Sequence, residues 1–199
     1  MGKVITIGRE FGSGGRELGR RLAEELGIQY YDKEIISEIA KDMSVSEHFV
    51  QQVVEGKPRR LFPITVGQSF AVAPDYYMMQ MQGIYQSQTE IITRLAEEGD
   101  CVIIGRCADY ILQDYKPFRI FVHADMESRV RRCMERSGEG ENLTPEQMRK
   151  QILAIDKDRA RYYNDFTGQK WGDKLYYDMC INTTDLVIKD IVPYIAKLF

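Results

Sequence analysis

Residues 4–19 read VITIGREFGSGGRELG. Val4-Ile5-Thr6-Ile7 is apolar and rich in β-branched residues, as suits a strand buried on both faces. Five glycines follow within twelve residues: Gly8, Gly12, Gly14, Gly15 and Gly19. The period then becomes helical. Leu18, Leu22, Ala23 and Leu26 share one face, and Arg20, Arg21, Glu24 and Glu25 share the other. Gly27 is placed to close that helix as its C′ residue. Strand, glycine-rich turn and helix form the geometry that aims backbone N–H groups at a phosphate, with the helix dipole favouring the anion.

Three readings of this stretch compete. A plain βα turn needs less glycine than Gly12-Ser13-Gly14-Gly15 supplies. A dinucleotide fingerprint, G-x-G-x-x-G/A from Gly12, meets Glu17 where its third Gly or Ala belongs and is disfavoured. A P-loop, G-x-x-x-x-G-K-[ST], wants a lysine for the β/γ phosphates and a hydroxyl for Mg²⁺. With Gly15 as the last loop glycine, Arg16 takes the lysine place and Glu17 the hydroxyl place. With Gly14 as the last, Gly15 and Arg16 take them. The stretch reads as a variant phosphate-binding loop.

The chain has 199 residues, enough for one domain with room for a small insertion. Its apolar fraction of 44% is ordinary for a globular core. A net charge of −3 gives no general attraction to nucleic acid or to an anionic membrane, so any basic site must be local. Cys101, Cys107, Cys133 and Cys180 are widely spaced with no CxxC, which argues against a zinc site or disulfide framework and fits a reducing compartment. Arg9 and Glu10 interrupt the first apolar run, so a signal peptide is not expected. No run approaches the roughly 20 apolar residues of a membrane span. The expected location is the cytoplasm.

Further along, residues 28–31 read as a short strand ending at Asp32, with a helix from 32 to about 41. A carboxylate at the end of a buried strand lies on the ligand-binding edge of an α/β sheet. It can equally serve as an N-cap, and the two roles are compatible. Ser44-Val45-Ser46-Glu47 reads as a capping box for a helix to about 55. Residues 56–75 carry three prolines and the basic cluster Lys57, Arg59 and Arg60, and read as a substrate loop or a solvated surface loop. Tyr76, Tyr77, Met78, Met79 and Met81 read as packing residues ahead of a helix at about 85–98.

Residues 101–104 form the next apolar run, followed at once by Gly105-Arg106. An arginine at the C-terminal end of a strand is placed to hold an anion bidentately. A strand at 118–123 ends on His123, which reads as structural. A helix at about 126–136 carries Arg129, Arg131, Arg132 and Arg136, and 137–140 breaks it. Thr144-Pro145-Glu146-Gln147 restarts a helix to about 163 bearing Lys157, Arg159 and Arg161. Two arginine-bearing helices suit a lid over a polyanion, or else two solvated faces. A loop through 165–168 and Trp171, a strand at 178–182 and a helix at 185–198 complete the chain. Alternating strands and helices predict a parallel sheet of about five strands covered on both faces.

The stretches ITIGREFGSGGRELG, YYDKEII (30–36), VIIGRCADYIL (102–112), RVRR (129–132), DKDRARYYNDFTG (156–168) and CINTT (180–184) resemble the bacterial cytidylate-kinase-like family, within the P-loop nucleoside monophosphate kinases. The resemblance spans almost the whole chain. It implies one α/β domain over 1–199 with a five-stranded parallel sheet and helices on both faces, a helical NMP-binding insertion at about 34–90 and an arginine lid at about 129–165. Laid without gaps on that family, Gly15 falls at the lysine and Glu17 at the hydroxyl residue. Asp32 matches the acid that ends the second strand. Arg106 matches the arginine that grips the monophosphate, and Cys107 replaces the aspartate that usually follows it. Arg129 and Arg132 match the first lid helix. Asp158 and Arg161 match the acid and arginine that contact the cytidine nucleotide. ATP and Mg²⁺ are the implied cofactors and small nucleotides the partners of a monomer or homodimer.

These readings lead to an ATP-dependent phosphotransferase acting on a nucleoside monophosphate. Arg9, Gly12, Ser13, Gly14, Gly15, Arg16 and Glu17 are expected around the donor phosphates. Asp32, Arg106, Asp158 and Arg161 are expected at the acceptor, and Arg16, Arg129, Arg132 and Asp158 at the transferring group. Arg16 is the expected substitute for the lysine, with Arg9 at the loop's entrance in reserve. Glu17 can offer Mg²⁺ an oxygen directly or through water. A catalytically weak nucleotide sensor with the kinase fold is the alternative, as is a kinase of another small phosphorylated acceptor.

Overall fold

The computed structural model describes residues 2–55, 76–136 and 143–199. The glycine-rich stretch forms β1 (Val4–Arg9) and α1 (Gly15–Leu26). Gly27 closes α1 in the left-handed conformation at φ 66°, taking up the carbonyls of Ala23 and Glu24. There follow β2 (Gln29–Tyr31), α2 (Glu34–Asp42), α3 (Glu47–Glu55), α4 (Tyr76–Glu98), β3 (Cys101–Ile104), the short α5 (Ala108–Ile111), β4 (Phe118–His123), α6 (Met126–Arg136), α7 (Pro145–Thr167), β5 (Met179–Asn182) and α8 (Ile188–Ala196). The five strands pair in the order β2-β3-β1-β4-β5, all parallel.

β1 is the central strand. Ile7 lies beside Ile104 on one side and Ile120 on the other. Strand periodicity of two sends alternate residues to opposite layers. Ile5, Ile7, Val102, Ile104, Ile120 and Val122 pack under α1 and α8. Val4, Cys101 and Ile103 pack against α2, α3, α4 and α5. The expected sheet with helices on both faces is what the chain forms. Because every strand is parallel, all five C-terminal ends meet on one edge. The chain leaves β1 for β2 and β3 on one side and for β4 and β5 on the other, so this edge opens beside β1, where such sheets bind ligands. No helix among the described residues is long and apolar enough to cross a membrane.

Several local expectations need correction. Ser46, not Ser44, caps α3. Its Oγ accepts the Phe49 N–H at 3.2 Å, while Ser44 sits at φ 54° in the turn after α2. α4 begins at Tyr76 rather than near 85, and Met79 is exposed rather than packed. α7 runs through the expected loop to Thr167. Phe166 stacks on Tyr85 with ring centroids 4.3 Å apart, and Gly168 supplies the left-handed cap at φ 67°. The packing outweighs the turn-like look of Asp165, Thr167 and Gly168. The N-terminus of α7 is as expected, a capping box of Thr144 and Gln147 with Pro145 in the first turn. The stretch at 56–75, with Lys57, Arg59 and Arg60, and the break at 137–140 lie outside the described residues.

Helix α1 comes close to the sheet at Gly19. A Cβ there would stand 2.4 Å from Ile104 Cδ1 and 3.1 Å from Ile7 Cδ1. Both isoleucines are wholly buried, so neither has room to swing aside. Helix propensity favours replacing a mid-helix glycine by up to ~1 kcal/mol, whereas overpacking a dense core costs about 1–3 kcal/mol. Gly19→Val adds β-branching to that clash. It should lower stability by about 1–3 kcal/mol in urea unfolding, and an unchanged midpoint would refute the close approach.

Candidate active site

The loop between β1 and α1 cannot hold itself, because glycine surrenders the most backbone freedom on ordering. Neighbouring elements hold it instead. The Phe11 N–H donates to Asp156 Oδ1 on α7 at 2.8 Å, and Arg129 Nε on α6 donates to the Phe11 carbonyl at 2.7 Å. Arg129 also pairs with Glu10 at 3.2 Å and with Asp156. Thr183, just past β5, donates its hydroxyl to the Ser13 carbonyl at 2.6 Å, and Arg132 reaches the Thr183 and Leu186 carbonyls. Gly14, left-handed at φ 86°, is the N-cap of α1 and brings no side-chain cap. The start of α1 thus carries no side-chain cap and faces the glycine loop, the position where a helix favours an anion.

Two clefts open on this edge. The larger, about 290 Å³, lies over the loop. Gly12, Gly14 and Gly15 line it together with five arginines, Arg9, Arg16, Arg132, Arg136 and Arg159, against one acid, Glu10. Phe11 and Met148 give it an apolar wall. The smaller, about 40 Å³, lies between the ends of β1 and β3 and the aromatic side of α7. Arg106, Cys107 and Asp109 line it, facing Tyr162, Tyr163 and Trp171. Arg9 and Arg159 line both clefts.

β3 ends in three successive left-handed residues, Gly105 at φ 64°, Arg106 at φ 60° and Cys107 at φ 54°. Two of them carry side chains, a costly conformation of the kind that clusters at ligand sites. Gln88 of α4 supports it by donating to the Arg106 carbonyl at 2.9 Å. Burial pushes the Cys107 thiol well above its ordinary range.

The residues expected at the site fall into groups. Arg9, Gly12, Gly14, Gly15, Arg16 and Arg132 meet on the larger cleft, and Arg9 and Arg106 on the smaller. Ser13 is buried, its hydroxyl donating to the Glu10 carbonyl at 2.9 Å. Arg16 forks onto Asp32, Nε at 2.5 Å and Nη2 at 3.3 Å, so Asp32 sits beneath the cations rather than in either cleft. Glu17 turns to Arg21 and Arg136. Burial raises its carboxyl, but the two guanidinium groups more than reverse this and hold it below its ordinary value. Arg129 is buried under the loop, and Asp158 pairs with Arg161 at 3.2 Å, and none of the three lines either cleft.

Arg136 and Arg159 are expected from the sequence only as members of the arginine-bearing lid helices, and Asp156 and Asp109 carry no expected site role. The signal for two of them was present. Ile152, Asp156, Arg159 and Tyr163 follow each other at helical spacing, so a charged pair interrupts an inward stripe of α7.

A family model described as the cytidylate kinase-like family matches residues 4–185. The chain belongs to that family. A cytidylate kinase of Methanopyrus kandleri is 26% identical over 191 residues, covering 91% of this chain and 84% of that protein. One of Thermococcus kodakarensis is 25% identical over 181 residues, covering 90% and 79%. Among solved structures, an uncharacterized protein from Eubacterium ventriosum superposes with TM-score 0.72 at 29% identity, covering 98% of this chain and 97% of that one. The shikimate kinase of Bacteroides thetaiotaomicron shares the fold, with TM-score 0.58 at 13% identity over 98% and 97%. Family and fold together support a nucleotide kinase.

Asp109 offers a test of the smaller cleft's dryness. Burial raises its carboxyl above the ordinary value of 3.8, against the hydrogen bond that Tyr163 donates at 2.7 Å. Folding therefore favours the protonated form. The stability this group adds is full below its ordinary value and is lost as pH rises through the raised one. Asp109→Asn removes that slope. Urea midpoints across a pH series should show the wild type losing stability relative to the variant from acid toward neutral, and parallel curves would mean that Asp109 is not desolvated.

Proposed function

We propose that the protein transfers the terminal phosphoryl group of ATP to a nucleoside monophosphate of the cytidylate type. The observation that carries this reading is the pair of clefts meeting at Arg9 and Arg159 beside the glycine loop. A donor and an acceptor bound there bring their phosphates together. In this reading the first-turn N–H groups of α1 hold the donor phosphates, and the wall of Phe11 and Met148 receives its base. Arg132 faces the transferring group and Arg106 holds the acceptor phosphate, while Asp158 and Arg161, which line neither cleft, stand behind the site as an ion pair. Arg129 is a positioning residue, acting through the Phe11 carbonyl. The helices α2, α3 and α4 belong to the acceptor-binding insertion of about 34–90, and α6 and α7 to the lid of about 129–165.

Phosphoryl transfer asks little covalent work of the protein. An acceptor oxygen bonds to the γ-phosphorus in line as the bond to the bridging oxygen breaks, and rate comes from alignment and cations on the developing charge. Kinases of this kind use the Mg²⁺ complex of their donor. Mg²⁺ is held by one or two carboxylates together with substrate phosphates. Glu17, the expected ligand, is tied to Arg21 and Arg136, and no cluster of three or more acidic, His or Cys side chains among the described residues suits a metal. Among the described residues the protein thus offers no all-protein cage for the ion, which the substrate phosphates and single carboxylates would hold.

The engaged state of Arg16 and Glu17 also favours a second reading, a nucleotide-binding module with little turnover. One experiment separates the two. Purified protein with ATP and Mg²⁺ should convert CMP or dCMP to the diphosphate in a coupled assay. No product across all nucleoside monophosphates, with calorimetry still registering ATP binding, would make it the binding module.

A further inference from the structure

The lysine of an ordinary P-loop stands at the start of the helix, the place held here by Gly15, first residue of α1. A Cβ at Gly15 would meet Arg9 Cβ at 2.6 Å, Arg9 Cγ at 3.2 Å and Val122 Cβ at 3.2 Å. These are stem and core atoms, not the tip of a flexible side chain. No side chain fits at residue 15 while Arg9 stands where it does. The arginine stem fills the space into which a lysine stem would grow.

The far end of Arg9 is equally fixed. Its Nη1 lies only 1.8 Å from where a Cβ of Gly105 would be, so the guanidinium crosses the end of β3 next to Arg106. Its Nη2 stands 4.0 Å from Asp32 Oδ1, and its side chain is 9% exposed. The same side chain lines both clefts. Arg16, the other candidate, is 44% exposed and grips Asp32 with two nitrogens.

Resting on the phosphotransferase reading, we infer that Arg9 takes the place of the P-loop lysine, entering from the end of the central strand, and that Gly15 and Gly105 are the two residues that make room for it. A lysine ammonium is a point charge, whereas a guanidinium presents a planar fork of donors. From the junction of the clefts that fork reaches a donor polyphosphate on one side and an anionic acceptor on the other. The predicted preference is for acceptors that carry a phosphate of their own.

Titration calorimetry with ADP and with the β,γ-imido analogue of ATP tests this without requiring turnover. Arg9→Met keeps the apolar stem and should weaken the triphosphate analogue by about tenfold or more, with a smaller effect on ADP. Where an acceptor is turned over, kcat should fall by about 10³-fold, the lower range for a catalytic arginine in phosphoryl transfer. Gly15→Lys alone should lose binding through its clash. The double variant Arg9→Gly/Gly15→Lys, which removes the Arg9 Cβ that blocks residue 15 and moves the cation back to the helix, should recover triphosphate affinity relative to Arg9→Gly. Arg9→Lys guards against a folding defect. With an unchanged melting temperature it should lower kcat more than it raises KM, since one ammonium cannot bridge two phosphates. Triphosphate affinity unchanged in Arg9→Met but lost in Arg16→Ala would overturn the inference and leave the phosphotransferase reading intact. A wild type that binds no triphosphate would overturn both.

Discussion

The buried guanidinium of Arg129 is the contact on which the site depends. It holds the Phe11 carbonyl, the Glu10 carboxylate and Asp156, and Asp156 in turn takes the Phe11 N–H. Phe11 is thereby gripped through both its N–H and its carbonyl by α7 and α6. Removing one partner of a buried ion pair typically costs about 3–5 kcal/mol, because the other charge stays in low dielectric. A glycine-rich loop has no comparable resource of its own. The loop and the two arginine-bearing helices are thus one mechanical unit. Burial raises the Asp156 carboxyl against the pull of Arg129 and the Phe11 N–H.

A net charge of −3 conceals a strongly cationic edge. Five arginines face one acid in the larger cleft, and Arg106 adds to the smaller. Acids placed behind them keep these cations in position. Asp32 sits under Arg9 and Arg16, and Glu17 between Arg21 and Arg136. Such counter-charges lower the field that each arginine projects, but they fix its direction. For a reaction helped mainly by positioned cations, a fixed direction is worth more than a free charge, since groups already oriented need not reorganise as charge develops.

The fold was legible because its signals are periodic and local. Val4 to Ile7, the α1 stripe, Gly27 and the Thr144 capping box each act within a few residues, and each is where the pattern placed it. Even Ser44 against Ser46 is a slip of two residues within the right turn. The site was legible only in outline. Spacing along the chain located the glycine loop and the arginine helices, but it could not assign partners. Arg16 to Asp32 spans 16 residues and Phe11 to Asp156 spans 145. Such pairings are set by which strand ends share an edge. Linear spacing made Arg16 the neighbour of the loop glycines, whereas packing made Arg9 the side chain that fills the space at Gly15.

The origin of a cation also decides how firmly it is held. A lysine at the start of a helix hangs from a turn whose N–H groups have no intrahelical partner and whose flexible stem has four rotatable bonds. Arg9 hangs from β1, which is hydrogen-bonded to β3 and β4 on its two sides, and Arg9 itself lies in register with Val122. Its stem is enclosed by Gly15 and Val122 and its head by Gly105 and Asp32. Most of the rotamer freedom that an exposed long cation would lose on binding phosphate is already lost on folding. The arrangement therefore exchanges adaptability at the loop for a guanidinium set in advance by the central strand of the sheet, and the two glycines facing it are the residues on which that placement depends.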